Sequence, residues 1–572
     1  MRFIPTLLCD FYKVSHKDQY PKGTEKIYST WIPRTSRIDG VKKVVAFGFQ
    51  GFAKEYLIDY FNESFFNQDV ELVCNEYERY IKFTLGVKNP NSTHIRELHE
   101  LGYLPIKILA VPEGTKVPLR VPMLTIENTS PKFFWVTNYL ETLMSAQLWF
   151  PATSATIANE YRIMLEKWAL KTVGNIAHVP FQGHDFSMRG MTSLQSATIS
   201  GAGHLLSFVG TDTIPAIMYH EAYYNADIEN ELVGTSIPAT EHSVQCTFED
   251  DKLYFKTMIT EVYPSGFASI VSDGYDYWKM LSDVVPSLKD VIMNRDGKVV
   301  IRPDSGDPVK IICGDIDIYD LDKDELFIER HNTLDGAILW ATENLGESVR
   351  NKTPHGECGE SNPSQVFKFN DEYYKLKLEI FWNRYDKQYY FIDEVSVESC
   401  EKIELHPTEI GSVEVLWNIF GGTINELGYK ELDPHIGIIY GDAITLDRAN
   451  EICKRLESKG FASSNIVFGI GSYTYQYNTR DTFGFALKAT YAMVNGKEVL
   501  IFKDPKTDDG TKKSLKGLAA VIKSENGDLI SVDNMRQKDL DELSNDIMRP
   551  IFENGKLLID DSLEEIRKRI RM

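Results

Sequence analysis

The densest chemistry in the chain lies in VVIRPDSGDP (299–308), where a β-branched run ends in Arg302, Asp304, Ser305 and Gly306. Arginine presents a fixed fork of donors to a phosphate or carbonyl, and a nearby carboxylate can hold sugar hydroxyls, a metal ion or a developing cation. Taken alone, the same residues equally describe a solvated turn with an Asx-type hydrogen bond. A second cluster, IVFGIGSYTYQYNTRD (466–481), places Gly469, Gly471 and Ser472 behind an apolar run, where backbone amides can face a phosphate. It is neither a Rossmann fingerprint nor a Walker A loop, and a plain strand-to-helix turn also fits it. Downstream, Arg480, Lys488, Lys503, Lys512 and Lys513 gather positive charge, which suits a pyrophosphate-bearing substrate or a solvated basic face. A third cluster, SIPATEHS (236–243), carries adjacent Glu241 and His242. A histidine there serves as proton carrier, phosphate contact, phosphorylated nucleophile or simple hydrogen-bonded loop residue. Phe186 offers a stacking surface, Arg189 an anion contact and Asp212 an acceptor, although packing or surface ion pairs explain each of them singly.

These residues need a scaffold that brings them together, and their spacing suggests one. Short apolar runs close at Phe186, Asp212, His242, Ser272, Asp304, Asp442 and Gly471, with gaps of 26, 30, 30, 32, 138 and 29 residues. A β-loop-α unit takes about 30 residues. Seven such units predict parallel strands wound into a (β/α) barrel, whose loops after the strands share one rim and carry the chemistry. The long gap predicts an insertion of roughly 108 residues. Its stretch 373–405 alternates apolar and polar residues, as an antiparallel meander does. The expected organisation is α/β. Residues 1–173 form an N-terminal α+β and helical region, with Pro151 breaking its last helix in two. The barrel takes 174–312 and 411–495, an inserted β-rich subdomain takes 313–410, and a C-terminal α+β region, 496–572, packs with the N-terminal domain.

Composition narrows the class. The 572 residues are 43% hydrophobic, which excludes a disordered or fibrous chain, and 83 acidic against 62 basic residues give a net charge of −21. That balance argues against a nucleic-acid surface, while leaving room for a local cationic pocket. The seven cysteines are scattered without a close CxxC pair, so neither a zinc site nor a disulfide framework is indicated, and reduced cytosol is expected. No apolar run reaches the ~18 residues of a membrane span, and the start is too short in apolar residues for a signal peptide.

The chain resembles the nicotinamide phosphoribosyltransferases, type II phosphoribosyltransferases of NAD salvage. The similarity runs through LCDFYKVSHKDQYP (8–21), AVPEG (110–114), HDFSMRG (184–190), GTDT (210–213), SIPATEHS, VSDGYD (271–276), IRPDSGDP, GDAITL (441–446), FGIGSYTYQYNTRDTFGFALKATY (468–491) and FKDPKTDDGTKKSLKG (502–517). The GIGSYTYQYNTRD form looks like bacterial and phage members rather than animal ones. The fold implied is the irregular (β/α) barrel of type II phosphoribosyltransferases. The activity implied is synthesis of nicotinamide mononucleotide and pyrophosphate from nicotinamide and 5-phosphoribosyl 1-pyrophosphate.

By that resemblance, nicotinamide lies between Phe186 and Tyr12 of a partner subunit, in a homodimer with shared sites. Asp212 accepts from the carboxamide NH₂ and Arg302 stands near its carbonyl; an anionic Asp212 also repels nicotinate. Asp304, Asp442 and Gly441 surround the ribose, while Gly471 and Ser472 meet the 5′-phosphate. Ser472 stands where animal enzymes have a second glycine. Arg189, Arg480, Lys488 and Lys512 are the implied anion contacts, some from the partner. Mg²⁺ bridges the pyrophosphate, and His242 matches the family's phosphorylatable histidine, implying coupled ATP hydrolysis. As pyrophosphate leaves, the sugar becomes oxocarbenium-like and carboxylates stabilise it; the pyridine nitrogen attacks with its own lone pair, without a general base.

The insertion is the main departure from that pattern. A larger donor is one reading, because similar phage enzymes transfer ADP-ribose from its pyrophosphate to nicotinamide and make NAD directly. Trp382, Tyr385, Tyr389 and Tyr390 would then stack an adenine, or else simply build the insertion's core. A nicotinate phosphoribosyltransferase and a non-catalytic signalling protein are the remaining alternatives. The expected location is the cytoplasm, of a bacterial host if phage-encoded.

Overall fold

The computed structural model describes residues 3–316, 318–352, 359–384, 390–441, 443–503 and 514–572. Six short strands form one parallel sheet: Gly183–Asp185, Gly210–Thr211, Ala268–Val271, Val299–Arg302, Ile436–Tyr440 and Val467–Ile470. Segment 235–240 closes it. Thr211 N donates to Thr235 O at 2.9 Å, and Ser269 N donates to Pro238 O at 2.8 Å, so the segment bridges the two edge strands. The result is a seven-staved barrel in chain order. Its strands are apolar almost throughout because helices cover the outside. Each of the seven clusters counted in the sequence follows one stave, although Asp442 itself lies outside the described residues.

A second, seven-stranded antiparallel sheet unites the two ends of the chain. In spatial order it runs Lys497–Leu500, Ala486–Val494, Thr24–Ile32, Leu124–Asn128, Ile106–Ala110, Arg549–Glu553 and Lys556–Leu557. The expected barrel limit at residue 495 is therefore corrected: Ala486–Val494 pairs with Thr24–Ile32, Tyr28 opposite Tyr491, and leaves the barrel. The local reason is a hairpin. Asn495 and Gly496 both take positive φ, +50° and +68°, the two-residue turn that joins antiparallel strands.

Pro151 does not break its helix either. Glu141–Thr172 is one 32-residue helix, and residues 150–159 are all buried. A proline inside a helix costs about 3 kcal/mol, but several large side chains buried at about 1.5–3 kcal/mol each outweigh it. Its ring packs against Gly48, whose φ of +99° and missing side chain admit it.

The insertion has its own core, built from Leu321, Phe327, Ala337, Ala341, Phe367, Leu376, Leu378 and Ile380. Strands Ser364–Phe369, Glu372–Arg384 and Tyr390–Ile403 form the expected antiparallel meander. The subdomain is not purely β, however. Helix Leu334–Lys352 covers the sheet, and Ala337, Ala341 and Leu345 give it a buried stripe at i, i+4 and i+8 that the alternation downstream obscured.

Both ends of the insertion meet at one neck. Asp315 N donates to Thr408 O at 3.0 Å, and Gly314 and Gly411 take φ of +91° and +83°. A Cβ on Gly411 would stand 2.2 Å from Gly314 N. Lys459 Nζ donates to Cys313 O at 2.9 Å and also to Ile410 O, which pins the neck at the C-terminal end of helix Leu446–Ser458. The helix that leads from the rim to the neck, Pro308–Cys313, has six residues and spans about 9 Å, and Cys313 Sγ donates to Ile452 O midway along Leu446–Ser458, so the insertion leaves the barrel partway down its wall.

Candidate active site

The rim is built by strand ends that hand polar groups to one another. Asp185, fully buried, accepts from Ser187 N at 3.0 Å through Oδ1 and from Thr213 Oγ1 at 2.8 Å through Oδ2, tying the first two rim loops together. Above it, the Phe186 ring packs against Gly469 and Gly441. A Cβ on Gly469 would lie 2.4 Å from Phe186 Cδ2, so glycine there is required by the ring rather than by a phosphate. Gly471 is different: a Cβ there would meet only Gly441 O, at 4.0 Å.

A cavity of about 420 Å³ runs down the barrel from His184, Phe186, Asp212 and Ser236 toward Phe181, Phe267 and Lys298. Asp212 Oδ1 takes a hydrogen bond from Ser236 Oγ at 2.6 Å and sits 2.8 Å from His184 Nε2. Burial opposes its ionisation, but His184, Ser236 and the positive charge of Arg302 outweigh burial and hold the carboxyl below the usual range. Arg302 donates through Nη2 to Thr240 O, while its buried Nε has no partner among the described residues. Arg302 does not itself line the cavity, but its charge reaches Asp212, which does, and an ionised acceptor with a guanidinium donor nearby suits a flat ring carrying one carbonyl and one NH₂. The groove of about 850 Å³ beside Phe3, Leu7 and Tyr80 is larger, yet it has no such convergence of polar groups.

The second part of the rim is a three-residue cluster. His242 Nε2 lies 3.0 Å from Asp273 Oδ1 and 3.7 Å from Asp304 Oδ1. Asp273 Oδ2 accepts from Asp304 N at 2.9 Å and Ser305 Oγ at 2.6 Å. These bonds and His242 outweigh burial and lower the Asp273 carboxyl, whereas burial and then the Asp273 charge push Asp304 up. The three ligand atoms lie within 4.8 Å of one another, close enough for a cation. Two carboxylates suit a hard ion such as Mg²⁺, although the imidazole does not. Asp273 was missed in the sequence, where VSDGYD marked only a strand end. Its position directly after the cluster residue Ser272 was the available signal.

The anion contacts divide into two groups. Ser472 opens a short helix behind Gly471 and touches Gly190, which leaves Arg189 exposed next to it. Arg480 and Lys488 instead belong to an exposed edge with Tyr12, Lys13 and Glu141. Lys13 pairs with Glu141, Lys488 Nζ lies 3.8 Å from the same carboxylate, and burial with neighbouring cations lowers the Lys488 ammonium. Tyr12 is 56% exposed and does not line the ring cavity of its own chain. Lys512 lies outside the described residues, as do Tyr385 and Tyr389.

The chain is similar to known proteins along its length. Residues 181–329 and 391–553 match the nicotinate phosphoribosyltransferase (NAPRTase) family, and residues 5–108 match the nicotinamide phosphoribosyltransferase N-terminal domain. The gap in the first match, 330–390, falls inside the insertion. A nicotinamide phosphoribosyltransferase of Acinetobacter baylyi is 44% identical over all of this chain and 97% of its own, and one of Mycoplasma pneumoniae is 30% identical over 89% and 94%. A solved nicotinate-nucleotide pyrophosphorylase of Pyrococcus furiosus aligns with 99% of this chain and 95% of its own at 13% identity and a TM-score of 0.48. With end-to-end identity to such relatives and both family domains in place, the chain belongs to the nicotinamide phosphoribosyltransferase family.

Proposed function

We propose that the protein transfers the 5-phosphoribosyl group of phosphoribosyl pyrophosphate to nicotinamide, releasing pyrophosphate and forming nicotinamide mononucleotide for NAD salvage. The observation that carries this reading is ionised Asp212 on the cavity wall with the Phe186 ring, near enough to Arg302, whose Nε has no partner among the described residues, for the guanidinium charge to act on the carboxylate. The amide NH₂ donates to Asp212 and its carbonyl accepts from Arg302. Nicotinate would place a second anion against Asp212, an unpaired burial that selects against it. The C1–O bond of the donor breaks toward pyrophosphate, the ring nitrogen supplies the new bond from its lone pair, and Asp304 with Asp442 stabilises the cationic sugar between them. Mg²⁺, held at Asp304, would neutralise the departing pyrophosphate.

Asp273 engages Nε2 of His242, while Nδ1 makes no hydrogen bond among the described residues, which supports phosphoryl transfer from ATP to that nitrogen as the coupling step. Tyr12, Arg480 and Lys488 share an edge away from their own chain's cavity, and this supports a homodimer in which each edge completes the partner's site. A cytoplasmic location suits these substrates; no helix among the described residues is long and apolar enough to cross a membrane.

Mass spectrometry of products from nicotinamide, Mg²⁺ and either phosphoribosyl pyrophosphate or ADP-ribose pyrophosphate, with and without ATP, tests the reading. Nicotinamide mononucleotide from the first donor supports it; NAD from the second with little turnover of the first overturns it.

A further inference from the structure

A pocket of about 380 Å³ lies apart from the rim, where helix Glu141–Thr172, the segments leading into the first two barrel strands and the C-terminal helix Leu563–Arg571 converge. Asn159, Arg162, Ile163 and Glu166 line it from one face of the long helix, at i, i+3, i+4 and i+7. Pro180 and Ser207 precede strands Gly183–Asp185 and Gly210–Thr211, so the pocket opens at the barrel end opposite Asp212.

Its charge is out of character for a chain of net charge −21. Lys116, Arg162 and Arg571 all face it. Arg162 is 8% exposed; Nε is 2.5 Å from Glu166 Oε1 and Nη1 donates to Ser207 O at 2.9 Å, which leaves Nη2 without a hydrogen bond among the described residues. Lys116 feels the charge of half-buried Glu160 but has no ion pair within contact distance, and Arg571 likewise has none, among the described residues. The second sign is independent of charge. Ser207 is 7% exposed, lines the pocket, and its Oγ has no hydrogen-bond partner among the described residues. A buried hydroxyl left unsatisfied costs about 1–3 kcal/mol unless something else occupies its hydrogen bond. Ile163, Ile176, Leu206 and Ile570 supply the apolar part of the lining.

We propose that this pocket is a second ligand site, for a phosphomonoester with an apolar or aromatic body. The phosphate lies among Lys116, Arg571 and the free donor of Arg162, accepts from Ser207 Oγ, and the body rests on the isoleucine wall. Four cationic or hydroxyl donors around one pocket are the pattern that binds phosphate, and the pocket can hold more than the inorganic ion.

AMP and inorganic phosphate are the probes, titrated calorimetrically into the intact protein, its Lys116→Gln/Arg571→Gln double variant, Ser207→Ala, and the rim variant Asp304→Asn. Lys116 and Arg571 sit on a hairpin edge and at the end of a helix, so circular dichroism and melting should be unchanged in the double variant. Expected is one AMP site per chain, weakened about tenfold or more in the double variant and measurably in Ser207→Ala, but kept in Asp304→Asn. AMP should also bind about tenfold tighter than inorganic phosphate, since only AMP uses the apolar wall. Absence of AMP binding, binding lost in Asp304→Asn but kept in the double variant, or equal affinity for the two probes overturns the proposal.

Discussion

The barrel rim and the inserted subdomain answer opposite demands. At the rim, side chains stand in arrangements that packing alone would not choose: a buried Arg302 Nε without a partner, Asp212 held ionised, and Asp304 pushed up beside Asp273. Although buried Gln365 Oε1 has no partner among the described residues, the described part of the insertion turns most of its polar groups to its own fold. Its buried residues face one another, and Asp324 caps its own helix at Phe327 N, 3.0 Å away, while accepting from Tyr319 and Trp340. One region keeps unsatisfied polarity for a ligand, and the other uses most of its polar groups for its own fold. The neck at Gly314 and Gly411 joins the two regions through helix Pro308–Cys313, six residues long.

The sharpest way to break this contrast is at Asp304. Asp304→Asn removes the charge that the proposed mechanism sets against the developing sugar cation, and kcat/KM for phosphoribosyl pyrophosphate should fall about 10²–10³-fold with the fold intact by circular dichroism. A change under about threefold would move the chemistry elsewhere. Next is selectivity. Asp212→Asn keeps the shape but removes the repulsion of a carboxylate, so the preference for nicotinamide over nicotinate in kcat/KM should shrink by about 10²-fold. An unchanged ratio would separate Asp212 from the ring amide.

A smaller effect concerns pH. Asp304 is raised by burial and by the charge of Asp273, so the acid limb of kcat/KM, if Asp304 must ionise, lies above the ordinary carboxylate range. Asp273→Asn removes the neighbouring charge and should move that limb to lower pH, although the rate falls as His242 loses its charged partner. A limb that stays in place would assign it to another group. The smallest effect is expected from the insertion. Replacing residues 316–406 with a short Gly-Ser link joins ends that already meet at the neck, and kcat/KM should stay within about threefold of the full chain. A loss beyond about a hundredfold, in a variant that still melts cooperatively, would place the insertion in catalysis after all.

Much of this was legible before any coordinates. The near-30-residue spacing identified the barrel staves because a strand, loop and covering helix have nearly fixed lengths, and the strand-end clusters named Phe186, Asp212, His242, Arg302 and Asp304 together. The failures were places where local signals compete with distant partners. Pro151 reads as a helix break until burial on several sides is known, and Ala486–Val494 falls inside the expected barrel limit at 495 until its hairpin finds Thr24–Ile32 across the chain. Asp273 had no distinguishing pattern, because its role comes from His242 and Ser305, each about 31 residues away, arriving at the same carboxylate.

The sequence by itself determined the residue types, the repeat of strand and helix, and so the family of fold that gathers those residues on one rim. Tertiary structure alone decided which polar groups are satisfied and which are left over: the Nε of Arg302, partnerless among the described residues, the Phe186 ring seated over Gly469, the neck closed by Gly314 and Gly411 and the cationic pocket around Ser207. The reason is that periodicity is a property of neighbours along the chain, whereas burial and hydrogen-bond satisfaction depend on neighbours in space.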